Sequence, residues 1–505
     1  MKSISFLLTG LLCSLSLQGI AHSQDFGEGM QNFTASKVLE NADGSHNHWR
    51  GVGRLFIDGS CTATLLDTQD ASVPQPTPAY VLTSGHCIEK GNGNIVTDKP
   101  VSGVMQFDYF ADTELFKTYA LKKVAWRSMQ GVDLAIIELD VSLQKLIEEG
   151  IQPLELARQK PADGTDVLIV SAPLGFDKAT LRMAACTLQP AREIVEGPWV
   201  WRNNVMTRCQ DIAGGSSGGP ILDRHSNEII GVIGTGNLAA GFAPCDEHAP
   251  CTRVGDVYKA IPKNVYGNPT IFLNGCFVQG HIANEATSSC PLYPTFTVSA
   301  DANEPARYKR LKKRDDGTME IPTWDYHFSI STAFYRHKIV RTAKDCESGH
   351  YYSDAISSND AFINSEIGAQ PGFYFLCILG VDSATQGAQV GLIKNGLSLV
   401  VEVLDDTPTA QPDLSISSGV GVELARGSEY RTYAVKFGPL DTTDCSRDEQ
   451  YLTHTYMDFW FPDAELPLKF CTIAYDKSGQ ASEPRIDVLS PATGAQNTPP
   501  RRPLR

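Results

Sequence analysis

The sequence contains no Cys-x-x-Cys pair, so the thiolate spacing that structural zinc sites use is missing despite 13 cysteines. Positive charge is the scarcer sign. Lys and Arg number 43 against 58 Asp and Glu, for a formal net charge of −15. That balance disfavours nucleic acid or an anionic membrane as a partner held through phosphate contacts. No apolar run beyond the amino terminus is long enough to cross a bilayer, so no membrane span is expected. With 505 residues the chain is too long for one ordinary domain, and its 42% apolar content suffices for packed cores.

What is present begins with an export signal. Lys2 precedes the apolar stretch Ile4–Leu17, and Ala21-His22-Ser23 places small residues where a signal peptidase reads. Residues 1–23 are expected to be a signal peptide, cleaved after Ser23, with Ala21 as the alternative. The mature protein is expected to be secreted, extracellular or periplasmic. Cys13 leaves with the signal, and an even number of cysteines remains for an oxidising compartment. They fall into neighbouring pairs: Cys61 and Cys87, Cys186 and Cys209, Cys245 and Cys251, Cys276 and Cys290, Cys346 and Cys377, Cys445 and Cys471. Sequence alone leaves the connectivity open.

Three short stretches carry chemistry. Gly214-Gly215-Ser216-Ser217-Gly218-Gly219-Pro220 sets a serine among glycines, where peptide N–H groups can converge beside its hydroxyl. Val81-Leu82-Thr83-Ser84-Gly85-His86-Cys87 ends an apolar run in a histidine. Val132-Asp133-Leu134-Ala135-Ile136-Ile137 puts an aspartate at the mouth of a buried strand. A serine hydroxyl is a poor nucleophile near pH 7. It needs a histidine base, and the base needs a carboxylate to fix its tautomer.

The order His, Asp, Ser and the three stretches resemble those of chymotrypsin-fold (trypsin-like) serine proteases over roughly Trp49 to Pro262. Thr-Ser-Gly-His-Cys resembles Thr-Ala-Ala-His-Cys, Asp-Leu-Ala-Ile-Ile resembles Asp-Ile-Ala-Leu-Leu, and Gly-Ser-Ser-Gly-Gly-Pro resembles Gly-Asp-Ser-Gly-Gly-Pro. The resemblance implies His86 as general base, Asp133 as its orienter and Ser217 as nucleophile, with Gly215 and Ser217 supplying oxyanion N–H groups. It supports a Cys61–Cys87 bridge. It also implies Asp211 at the floor of the primary specificity pocket, lined by Gly234 and Gly236, and hence cleavage after Arg or Lys. Ser216 departs from the family pattern, because trypsin carries an aspartate there that pairs with a freed amine. No Ile-Val-Gly-Gly-like activation sequence is found. Activation by amine insertion is therefore not expected, and the site resembles bacterial trypsin-like secreted enzymes.

The fold class expected is all-β: a chymotrypsin-like double β-barrel followed by immunoglobulin-like β-sandwich modules. Residues 24–48 read as an N-terminal arm or propeptide, 49–262 as the protease domain, and 263–294 as a disulfide-stapled connector. Residues 295–400 and 401–490 read as two modules that share an Asp-Cys start and a later cysteine-bearing strand. Residues 491–505 read as a disordered tail. Short apolar runs broken by turn residues suggest strands at 52–57, 63–66, 80–83, 103–110, 120–126, 134–139 and 165–170, and Val254–Ile261 resembles the family's C-terminal helix. The basic run Arg307–Arg314 reads as an exposed loop and a site of self-cleavage.

Two function classes follow. The first is a secreted, monomeric serine endopeptidase acting on protein or peptide substrates without metal or organic cofactor. The second is an adhesin-like binding protein whose protease-fold domain is silent.

Overall fold

The computed structural model describes residues 24–491, except 75, 239–242, 286–288, 301–304, 418–420, 425–429 and 456–457. The signal expected at 1–23 and nearly all of the tail expected at 491–505 lie outside the described residues. The chain's regular secondary structure is almost wholly strand among the described residues.

Six strands make the first barrel. Lys117–Ser128 pairs with Val104–Phe107, followed round the ring by Val52–Phe56, Ser60–Leu65, Pro78–Thr83 and Leu134–Ser142, which closes back onto Lys117–Ser128. The run Leu-Ala-Ile-Ile-Glu-Leu at 134–139 is apolar on both faces for a reason. Ile137 and Leu139 enter the barrel core with Leu55, Val81 and Phe107. Leu134 and Ile136 point the other way, into a larger core shared with Val170, Leu222 and Val232 of the second barrel. Strand residues alternate faces, so two cores demand two apolar faces.

The second barrel is a ten-stranded sheet whose centre runs Arg182–Thr187, Asp166–Ser171, Pro220–Asp223, Ile229–Gly236, Val265–Pro269 and Trp199–Thr207. Its own core holds Val167, Ile169, Ile221, Ile230 and Ile233. The barrel thus runs past the boundary expected at 262, because Val265–Pro269 pairs with both Ile229–Gly236 and Trp199–Thr207. The helix expected at 254–261 is instead a hairpin, Cys251–Val254 with Val257–Ala260. Its exposure alternates, with Tyr258 and Ala260 more covered than Val257 and Lys259. Tyr258 packs on Phe373 and Phe375, with ring centroids 4.7 and 5.8 Å apart, so the residues satisfy a sheet period.

All six neighbouring cysteine pairs are bonded as the spacing suggested. Six disulfides fit a non-cytoplasmic, oxidising compartment. No described helix is long and apolar enough to cross a membrane.

Beyond residue 295 come two further sets of sheets. The first has a core of Phe296, Trp324, Phe328, Leu376 and Val401. The second is built around Val422, Val435 and Phe470. The basic run is not a loop. Tyr308–Arg310 pairs in parallel with Leu397–Leu404, and Lys312–Lys313 forms a short hairpin with Met319–Glu320. Arg307 is bonded to Asp246 and Arg310 to Asp476. A protease needs an extended segment free of a ladder, so this placement argues against the expected self-cleavage there.

The first C-terminal set is fused to the second barrel. Val195, Val200 and the Cys245–Cys251 bridge share one core with Ala343, Phe375, Val400 and the Cys346–Cys377 bridge. Arg202, almost wholly buried, crosses that seam. It donates to the carbonyls of Ile393 (2.9 Å), Lys394 (3.0 Å) and Gly396 (3.0 Å).

Candidate active site

His86 lies on a single turn, Gly85–Cys87, directly after the strand Pro78–Thr83. The Cys61–Cys87 bridge ties that turn to the neighbouring strand. Buried Arg127 holds the chain that follows, donating to the carbonyls of Glu89, Gly91 and Asn94. Asp133 sits at the start of Leu134–Ser142, the strand paired with the one that ends before His86. Sheet pairing therefore brings together residues 47 positions apart.

The pair is well made. Nδ1 of His86 lies 2.8 Å from Oδ2 of Asp133, and the His86 backbone N–H donates to Oδ1 at 2.9 Å. The Asp133 N–H donates to Oδ1 of Asn268 at 3.0 Å, which anchors the aspartate from the second barrel. The Asp133 side chain is 4% exposed and that of His86 23%. Burial pushes the imidazole down, but the charge and hydrogen bond of Asp133 outweigh it and raise the His86 pKa above the ordinary 6.5. With Nδ1 engaged, Nε2 is the nitrogen left for the cleft.

Ser217 lines the same cleft as His86 and Asp133, a cavity of about 350 Å³ between the barrels. The loop holding it is tightly wired. Ser216 N–H donates to Ala213 O, Gly218 N–H to Ile233 O and Gly219 N–H to Ser216 O. The N–H groups of Gly215 and Ser217 have no protein acceptor among the described residues. Gly215 has φ +89°, and a Cβ there would come within 2.8 Å of Arg54 Nη1. Only glycine suits both conditions. Ser216 is buried with its hydroxyl 3.1 Å from that of Ser171. A neutral hydroxyl pair needs no inserted amine to neutralise it.

Ile212, Ala213, Gly214, Ile233, Gly234 and Gly236 line the cleft. Asp211 does not. It is not among the lining residues, and the backbone there turns through the left-handed region at φ 61°. Its Oδ2 accepts from the N–H (2.7 Å) and hydroxyl (2.8 Å) of Ser36. The carboxylate expected at a pocket floor is an anchor for the N-terminal arm. Arg182 holds Ser36 from the other side, through its hydroxyl at 2.7 Å and carbonyl at 3.0 Å. The arm also reaches the far flank of the Ser217 loop, where buried Arg224 bonds Asp25, Gly27, Met30 and Asn32. Asp211→Ala is expected to leave the residue preference at any scissile bond unchanged. It should loosen residues 24–38 by about 1.5–3 kcal/mol, the worth of lost charge-assisted bonds. Cleavage-site mapping and limited proteolysis of the arm check the two halves.

A further part of the lining was missed from sequence. It comes from the hairpin of Gln189–Glu196 and Trp199–Thr207, which contributes Glu196, Trp199 and Trp201. The indole rings of Trp199 and Trp201 stack at 6.1 Å and 11°. Lys90, Glu247 and His248 complete the rim. The alternating Trp-Val-Trp after Gly197-Pro198 was the available signal, since it puts two aromatics on one strand face.

A family model described as trypsin-like peptidase domain matches residues 61–232. That span holds His86, Asp133 and Ser217, so the similarity covers the stretch that carries all three. No curated protein matches the chain. Similar solved structures include the thermostable serine protease AL20 from an extremophilic microorganism, 16% identical, covering 44% of this chain and 92% of that one, TM-score 0.30. Protease Anisep from Arthrobacter nicotinovorans is 16% identical, with coverages of 44% and 91% and a TM-score of 0.30. A Glu endopeptidase in complex with MPD is 15% identical, with coverages of 47% and 92% and a TM-score of 0.31.

Proposed function

We propose that this chain is a secreted serine endopeptidase working through an acyl-enzyme, with Ser217 as nucleophile, His86 as general base and acid, and Asp133 as orienter. The observation that carries the reading is the His86–Asp133 pair, 2.8 Å apart, facing the cleft that Ser217 lines. Ser217 Oγ attacks the peptide carbonyl carbon while His86 Nε2 takes its proton. The carbonyl π pair moves to oxygen, and the N–H groups of Gly215 and Ser217 receive the oxyanion. Collapse expels the amine, which takes the proton back from His86. Water then repeats the sequence on the acyl-enzyme and frees Ser217. His86 passes the Ser217 proton to the leaving amine and later a proton of water back to Ser217, so the scheme calls on no metal or organic cofactor.

The test is cleavage of a mixed peptide library, with Ser217→Ala as blank and a serine-reactive phosphonate as label. Cuts and labelling that both vanish in Ser217→Ala and His86→Ala support the peptidase. Neither, in correctly folded protein, would favour a binding protein with a silent protease fold.

The raised His86 pKa has a signed consequence. The base must be neutral to accept a proton, so kcat/KM should fall as pH drops through an inflection above 6.5. Asp133→Asn should move that inflection downward. Stability runs the other way: the Asp133 contribution to protonated His86 is full below the unfolded pKa. It is lost as pH rises through the folded one. A pH–rate profile for both proteins checks the sign.

A further inference from the structure

Glu196 lines the cleft close enough for its charge to help raise the His86 pKa, yet the scheme above gives it no contact with substrate. Its side chain lies 4% exposed on the cleft wall. Oε1 accepts from the Thr235 hydroxyl at 2.7 Å and the His248 N–H at 3.0 Å, and Oε2 accepts from Trp201 Nε1–H at 3.2 Å. All three donors are neutral, and no Lys or Arg pairs with Glu196 among the described residues. The nearby Glu247 differs, since it has Lys90 at 2.5 Å. Burying a carboxylate without a cation is costly, and the cost is relieved when a cation arrives. An ionised carboxylate takes about four hydrogen bonds, so Oε2 keeps room for another donor.

The surroundings say what that donor would be. Trp199 and Trp201 line the same cavity as a stacked pair held by Met129, Met206 and Tyr266, so fixed aromatic rings border the carboxylate where a planar cation would enter. A guanidinium suits a carboxylate flanked by aromatic faces better than an ammonium does. Past Val232, the strand Ile229–Gly236 keeps Val265–Pro269 on one side but no longer has Pro220–Asp223 on the other. The open edge at 234–236 faces the cleft, where an extended peptide can add as a strand. Glu196 touches the side chain of Thr235 in the middle of that edge. The wall nearest Ser217, by contrast, is Ile212, Ala213, Gly214 and Ile233, without a carboxylate.

We infer that Glu196 and the Trp199–Trp201 face form a guanidinium subsite, which selects substrates carrying arginine at one position flanking the residue seated beside Ser217. The inference rests on the peptidase reading for its meaning but not for its test. Peptides in pairs, with arginine or its neutral isostere citrulline at each flanking position, separate charge from shape. At one position the arginine peptide is expected to be turned over with kcat/KM at least about tenfold above its citrulline twin. In Glu196→Gln, which keeps the size and most of the hydrogen bonds, the arginine-to-citrulline ratio should fall to about one. Equal turnover of both twins at every position would overturn the subsite, as would an undiminished ratio in Glu196→Gln. If no peptide shows Ser217-dependent turnover, the peptidase reading fails, and binding of the same peptides, read by tryptophan fluorescence, decides the subsite alone. Tighter binding of the arginine twin, lost in Glu196→Gln, sustains it, and equal binding of the twins ends it.

Discussion

Ser217→Ala is expected to lower kcat by about 10⁵–10⁶-fold, His86→Ala by a similar factor, and the double variant by no more than either alone. The lack of additivity is the informative part. A serine without its base and a base without its serine are equally idle, so the second loss costs nothing. Asp133→Asn should cost less, about 10⁴-fold, because it misorients the imidazole without removing it. Steady-state hydrolysis of one good peptide, with circular dichroism to show that each variant folds, measures all of these. Independent effects that multiply would mean that Ser217 and His86 do not act on the same proton.

Arg202→Met is expected to produce the largest loss of stability, about 3–5 kcal/mol. The guanidinium is buried and donates to three carbonyls on the segment 393–396 of the first C-terminal set of sheets. It also packs against Gly131, where a Cβ would come within 2.1 Å of Arg202 Nη2, and Gly131 lies two residues before Asp133. Methionine fills similar space but removes a donor from all three carbonyls, leaving Ile393 O only its backbone N–H partners. The midpoint of the first unfolding transition in guanidinium chloride should fall accordingly. Because Trp201 and Arg202 are consecutive on the strand that walls the cleft, peptide turnover should weaken as well. A shift below about 1 kcal/mol would show that the barrel and the C-terminal sheets are energetically separate.

This seam bears on the role of the C-terminal half, which we propose includes buttressing the Glu196 hairpin from behind. Val195 and Val200 point into the shared core, while Glu196, Trp199 and Trp201 face the cleft. Strand alternation makes one hairpin serve both surfaces. Whether the two C-terminal units are immunoglobulin-like remains a proposal that rests on their paired sheets and bridging cysteines.

Much of the candidate site was legible in the chain because its parts are local. His86 sits beside Cys87, Asp133 opens an apolar strand, and Ser217 sits among glycines that the loop geometry requires. The cysteines fell into neighbouring pairs along the chain, but the sequence left their connectivity open, and the fold closed all six. The strands of the first barrel could be read from apolar runs, since a strand buried on both faces shows itself in composition alone.

What the sequence by itself determined, then, was the chemistry available and the class of fold. Only the tertiary structure decided which side chains share a space. Counting six residues back from Ser217 finds Asp211, but one left-handed residue sends its carboxylate to Ser36, 175 positions away. In the chain Glu196 is marked only by the Trp-Val-Trp that follows it, because its partners Thr235 and His248 come from other strands and loops. The basic run at 307–314 read as an exposed loop because charge predicts solvent; Lys312 and Lys313 are exposed, but Arg307 and Arg310 meet Asp246 and Asp476 across the fold. Backbone preference and side-chain pattern act over a few residues, whereas the pairing of buried charges is settled by which strands the topology makes neighbours.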